Sequence, residues 1–403
     1  MNFCENDNYI GFKSLFFSML LFFMMVFQQQ FKHVKIILLL ALLLFSLNDF
    51  FKKKCKIKKY VLFCFLLWFI FYFIYVIYSY NIGNPGTFAT IKVELIYSVI
   101  YLFITSNIYR REQLSFLNTI FLISNILIIM IIFFCLANSL ICEDLFKPFN
   151  NFFGFMYGIH GFMIETSSYN IDALFFTIPF TFYNYICLNN RSKLSKVSFY
   201  ISLIYFFISG RVAMQILFIA SLCFCYLISK KDNVKELITK YNNQIWFKIT
   251  FVLFGILIFS VIFIFFYILI NGDTIRVNQF YALMNDFYRH PLFGNGVGFV
   301  SSIIRNPDIP WSYELMYIKL LASFGVIGFA FYLLILYLMT LNLIKKDKTL
   351  ILYVFPTVIV FIANFSNPYL TRFDNMWIYF ISLIAYNVIL NDKDLEKGGV
   401  LYD

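Results

Sequence analysis

Residues Tyr60–Tyr80 and Phe251–Ile270 each run for a full membrane thickness without one charged side chain. A helix needs about 20 predominantly apolar residues to cross the hydrocarbon core of a bilayer. Such runs have few other homes. A β-barrel strand alternates apolar and polar residues over about ten positions, and these stretches do not alternate. Hydrophobic residues make up 61% of the 403-residue chain and charged residues only 13%, against roughly 45–50% and about 25% in soluble domains. A soluble enzyme, a disordered tail and a disulfide-stapled secreted domain are therefore excluded. The expected fold class is all-α, a polytopic transmembrane helical bundle of about twelve spans.

Apolar runs place those spans near residues 12–27, 34–49, 60–80, 90–107, 114–137, 170–188, 197–209, 212–229, 247–270, 315–341, 350–364 and 376–390. The first run is not expected to be a cleaved leader, because Glu5 and Asp7 replace a basic flank. Orientation follows from Lys and Arg beside the spans. The string KKKCKIKK at 52–59 carries six lysines and fixes one side as cytoplasmic. Alternation then assigns twenty cations to that side and nine to the other, with both termini cytoplasmic. Only Lys32 and Lys35 resist this order. Five of the nine outer cations are arginines (211, 276, 289, 305 and 372), and Arg grips phosphate or carboxylate through a planar fork of paired donors. The net charge of +11 is dispersed among spans, which suits membrane orientation and excludes nucleic acid as a partner. The eight cysteines form no CxxC pair and the three histidines no local metal motif, so no metal or other cofactor is expected.

Two outer connections are long, 138–169 and 271–314, and long loops in compact proteins usually carry function. A single integral membrane domain over 1–403, with its chemistry facing outward, is the expected organisation. In the larger loop, Thr274–Tyr288 has the spacing of an amphipathic helix lying on the membrane surface, with Phe280, Leu283, Met284 and Phe287 on one face. Arg276 shares that face, as a lipid-phosphate contact or a snorkelling cation. Gly294, Gly296 and Gly298 then alternate, suiting either a tight turn or a cradle of backbone N–H groups for an anion. Glu314 is expected in the first turn of the next span, as a partner of the helix dipole or as a general base. Tyr313 and Tyr317 flank it as an aromatic belt or a sugar-stacking surface. Gly325 and Gly328 permit close helix packing. Arg211, in a Gly210-Arg211 hairpin, is an ionisable residue at the bilayer edge and a functional candidate by position. His160 and Glu165 form a titratable pair in the shorter loop, for proton transfer or merely as surface groups.

Arg276, the segment Arg289-His290-Pro291-Leu292-Phe293-Gly294-Asn295-Gly296, then Glu314, Tyr317 and Phe324-Gly325-Val326-Ile327-Gly328 together resemble the O-antigen ligase/polymerase superfamily. Ser209-Gly210-Arg211 is similar to that family's turn between two spans, and GFMIETSSY at 161–169 to a segment of its polymerase members. The anchors cover roughly 160–330. The resemblance implies a bundle like the GT-C-type membrane glycosyltransferases, with a large structured periplasmic loop. It implies a repeat-unit polymerase that moves a glycan from undecaprenyl diphosphate to the nonreducing end of another lipid-linked unit. Partners so implied are the undecaprenyl-diphosphate-linked oligosaccharide, the lipid bilayer of a bacterial inner membrane and a chain-length regulator. Arg211 and Arg276 would hold the diphosphate and Glu314 or Glu165 would act as base. Arg289, His290, Gly294, Gly296, His160, Tyr313 and Tyr317 would line the substrate. Ligase members carry a histidine ahead of the late helix, where this chain has Glu314, which favours polymerase over ligase. A polysaccharide-lipid flippase is the rival outside enzymes, but it would place ionisable residues at mid-membrane, and Lys319 is the clearest charge within a span.

Overall fold

The computed structural model describes residues 3–28, 30–52, 56–141, 157–160, 163–166, 172–209, 212–229, 274–304, 307, 309–363 and 373–399. In chain order these form α1 (Phe3–Val26), α2 (Lys32–Phe51), α3 (Lys59–Asn81), α4 (Thr87–Asn107), α5 (Arg111–Ile141), the hairpin strands β1 (Tyr157–His160) and β2 (Met163–Thr166), α6 (Leu174–Cys187), α7 (Lys193–Ile208), α8 (Val212–Ser229), α9 (Thr274–Arg289), α10 (Met316–Met339), α11 (Ile351–Ala363) and α12 (Trp377–Gly399). The architecture is all-helical apart from the antiparallel hairpin, which occupies part of the segment read as an outer loop.

Five described helices are long and apolar enough to cross a membrane: α2, α3, α4, α5 and α10 with its continuation to Lys346. Shorter apolar helices lie in α1, α6, α8 and α11. Helices stand at the expected spans except 247–270, which lies outside the described residues. Large apolar side chains such as Leu44, Ile74, Phe207 and Phe331 point outward and are exposed. An apolar surround removes the cost such a belt would carry in water.

The centre is α12. From Trp377 to Val388 almost every side chain is shut away, as expected of a helix that is hydrophobic on all sides. It packs against α3, α4, α5, α10 and α11. Trp68 of α3 lies against Tyr379 and Phe380, and Phe121 of α5 stacks on Trp377. Buried polar side chains pin neighbouring helices. Asn125 of α5 donates to Ser198 and Ser202 of α7, at 2.9 and 2.8 Å, and accepts from Thr177 of α6 at 3.0 Å. Asn387 of α12 donates to the carbonyls of Thr105 and Ile108 at the end of α4. Such bonds between spans contribute of order 1 kcal/mol each.

Lys35 explains why it resists the charge count. Its ammonium is buried at the start of α2, 2.6 Å from Asp374 and 2.7 Å from the carbonyl of Phe27. A cation consumed by an internal carboxylate says little about which side of a membrane it faces.

Candidate active site

Helix α10 is broken. Gly325 has φ +65°, ψ −176° inside it, a conformation closed to residues with a Cβ. The break releases the carbonyls of Ala322 and Ser323 and the N–H groups of Val326 and Ile327 from the helical ladder. Loop 291–296 supplies replacements. Val326 and Ile327 donate to the carbonyls of Pro291 and Leu292, while Asn295 and Gly296 donate to those of Ala322 and Ser323, at 2.8–3.2 Å. Tyr75 of α3 donates to the carbonyl of Phe324 at 2.8 Å. A Cβ on Gly294 would lie 2.3 Å from Ser323 O, and one on Gly325 would lie 2.4 Å from Leu292 C. The loop and the break are thus cut to fit each other.

The outer helix α9 folds onto this unit. The sequence expectation of a helix lying on the membrane surface is corrected: Leu283 is fully buried, and with Phe280 and Phe287 it packs on Phe299, Tyr313, Leu315, Ile318 and Ala322. The apolar face is covered by the protein's own loop and by α10, which satisfies it without lipid. Arg276 accordingly finds a carboxylate, with Nε 2.6 Å from Oε2 of Glu314. Glu314 itself precedes the first turn of α10, whose N-cap is Leu315. The expected partnership with the helix dipole therefore gives way to the ion pair. The side chains of Arg276 and Glu314 are 20% and 12% exposed, so the pair is sheltered yet reachable.

Other expectations shift. The N–H groups of residues 294–296 bond to protein carbonyls, and that of Val297 donates to Ser79 Oγ at 2.6 Å. No anion cradle remains there; the glycines serve close packing. Tyr313 is buried, its hydroxyl accepting the Ser301 N–H, and its ring stacks on Phe299, so it offers no sugar platform. Burial pushes its phenol above the ordinary value, and the neighbouring Asp286 carboxylate adds to this. Tyr317 donates to the carbonyl of Phe361 at 2.6 Å, tying α10 to α11. Gly328 lies against the Tyr75 hydroxyl, the close packing expected of it. Arg289 and His290 are exposed at the end of α9. His160 faces Met163 and Glu165 faces Gly158 across the hairpin register. Arg211 lies outside the described residues.

Two hollows flank this unit. An apolar groove of about 490 Å³ runs between α3 and α10, lined by residues including Leu67, Ile74, Phe293, Phe331 and Leu334. A polar cup of about 360 Å³ opens between the α3–α4 turn and loop 290–300. Beneath them, Glu94 is buried in a π-helical stretch of α4 (Ile91–Ile96) and one carboxylate oxygen has no partner among the described residues. Lys319 of α10 is within electrostatic range of it. Sequence reading passed over Glu94, although a lone acid inside an apolar run was its signal.

Comparison with known proteins returns no match: no family model, no curated protein and no solved structure matches the chain.

Proposed function

We propose that this chain is a membrane glycosyltransferase that polymerises lipid-linked repeat units of a surface polysaccharide. The observation that carries the reading is convergence. Three strings distant in sequence, around Arg276, Pro291–Gly296 and Glu314–Gly328, form one interlocked outer unit with a cation and a carboxylate at its edge. These are the strings whose resemblance suggested a polymerase. Beside them, the apolar groove has the size and lining that an isoprenoid tail requires.

In this reading the bond between the donor's anomeric carbon and the diphosphate oxygen breaks. Arg276, with Arg211 as second cation, stabilises the charge growing on the leaving diphosphate. The acceptor hydroxyl oxygen forms the new bond and gives its proton to Glu314. The ion pair holds both side chains in place before substrate arrives, which limits reorganisation during reaction. The protein belongs, on this proposal, in a bacterial inner membrane with twelve spans, both termini cytoplasmic and the outer unit periplasmic.

The test is a gel of surface glycans from cells lacking the gene. Loss of the ladder with single-unit-capped lipid remaining supports a polymerase. Loss of all glycan attachment, with long lipid-linked polymer accumulating, supports a ligase and sinks the proposal.

A second reading, a flippase for lipid-linked glycans, draws on two observations. Glu94 and Lys319 place ionisable groups within the bundle, and α10 is interrupted, both features of transporters. Accumulation of single lipid-linked units on the cytoplasmic face of the deleted strain would favour it.

A further inference from the structure

We propose that the polar cup beside the outer unit is a carbohydrate subsite, in which Asp286 accepts hydrogen bonds from the hydroxyls of a neutral sugar ring. This deepens the glycan reading and rests on it for its biological meaning. The cup is lined by Tyr78, Asn84, Asp286, His290, Asn295 and Phe299, among others. Its volume of about 360 Å³ falls in the range of small-molecule clefts.

Its floor is rigid. Asn84 donates to the carbonyls of Asn295 and Val297 at 2.8 and 3.2 Å, Tyr78 donates to that of Gly294 at 3.1 Å, and Gly86 N–H donates to that of Gly298 at 3.0 Å. Asn295 in turn donates to the carbonyls of Asp286 and Ala322. A site whose backbone is fixed beforehand loses little entropy when it binds.

Its chemistry is unfinished. One carboxylate oxygen of Asp286 is shut from water and accepts no hydrogen bond among the described residues, and Ser301 Oγ, on the neighbouring strand of loop, is in the same condition. Buried polar atoms are nearly always paired, so an orphaned carboxylate oxygen beside a cleft calls for a donor from outside. Sugar hydroxyls are such donors. Tyr78, Phe299 and Pro85 give the cup its apolar wall, which suits the C–H face of a ring. A second carboxylate would be repelled by Asp286, so uronic acids are excluded as occupants.

The placement separates this subsite from the reacting centre. Arg276, Gln279, Leu283 and Asp286 recur at helical spacing along α9, and Gln279 and Leu283 are fully buried, so the four share its inward face. Ten residues at 1.5 Å rise put Asp286 about 15 Å from Arg276. The ring held in the cup is therefore not the one that reacts but one further along the glycan, and the cup measures repeat-unit identity at a distance.

The experiment is saturation-transfer NMR on the full-length protein in nanodiscs. The probes are glucose, galactose, rhamnose, N-acetylglucosamine and N-acetylgalactosamine, with glucuronic acid as the anionic counterpart. At least one neutral sugar should receive saturation, glucuronic acid should not, and Asp286→Ala should lower the signal at least fivefold. Asp286→Asn, nearly isosteric, and Ile82→Trp, which fills the cup from its other wall without touching the carboxylate, should do the same in protein with unchanged size-exclusion behaviour. Silence across the neutral sugars, or signals undiminished in all three variants, overturns the subsite. Sugar binding in a protein whose deletion leaves surface polymer intact would keep the subsite and remove the polymerase. Lost polymer without sugar binding would do the reverse.

Discussion

Two ion pairs, Lys35–Asp374 and Arg276–Glu314, join residues far apart in sequence across 2.6 Å, yet their settings differ. Lys35 is 1% exposed and also donates to the Phe27 carbonyl; Asn375, next to Asp374, bonds Gln28 and Asp172. That pair is a clasp in which α1, α2, the start of α6 and α12 meet, with its polar neighbours paired to one another. Arg276–Glu314 stands at the rim of a small satellite core, between an apolar groove and a polar cup. Around it, Gln279 Nε2, Asp286 Oδ2, Ser301 Oγ and Ser323 Oγ are buried without partners. Satisfied polar networks specify structure; unsatisfied ones beside a cleft mark a place where something else binds.

The contrast can be broken in order of effect. Lys35→Met alone strands the Asp374 carboxylate, and removing one partner of a buried pair costs ~3–5 kcal/mol. Thermal melts in detergent should show it, and Lys35→Met with Asp374→Leu should recover most of the loss. If the single variant melts like wild type, the clasp has been misread. Next, Arg276→Lys and Glu314→Gln should each stop glycan ladder growth while stability shifts by no more than about 1 kcal/mol. Wild-type ladders from normally expressed variants would reduce this pair to a second clasp.

Gly325→Ala should destabilise the outer unit while sparing the bundle. A left-handed backbone costs a residue with a Cβ roughly 1–2 kcal/mol, and here the added atom also meets loop backbone. Limited proteolysis of loop 290–300 should quicken; unchanged cleavage would mean that the loop does not depend on the break. The smallest effect belongs to Asp347, beyond the end of α10. Burial alone would raise its carboxyl, but hydrogen bonds from Lys393 and Thr349 hold it below the ordinary value. A depressed acid stabilises above its unfolded range and loses that contribution as pH falls through its lowered one. Asp347→Asn should therefore cost ~0.2–1 kcal/mol at pH 7 and nothing at the acid end, where the two melting curves should meet.

Much of the bundle was legible because bilayer thickness and helix rise leave one solution for a long uncharged run. The helix over Thr274–Tyr288 and the turn chemistry of the glycines were legible for the same local reasons. What each side chain touches was not. The apolar stripe of α9 reads alike whether its cover is lipid or protein, and only the position of α10 decides that it is protein. Gly325 sits in an apolar run indistinguishable from an unbroken helix, and its positive φ follows from a loop some thirty residues earlier in sequence. Asp286 looked like a solvent-facing acid on an amphipathic helix, and Glu94 like one stray charge.

The sequence by itself determined an all-helical chain with membrane-length apolar runs and the order of its outer motifs, because hydrophobic periodicity and run length are local quantities. The tertiary structure alone decided that Arg276 meets Glu314, that loop 291–296 completes a broken helix, and that Asp286 opens onto a cup. Those outcomes depend on side chains brought together across the fold, and a contact between distant residues is a property of packing that no local stretch of sequence contains.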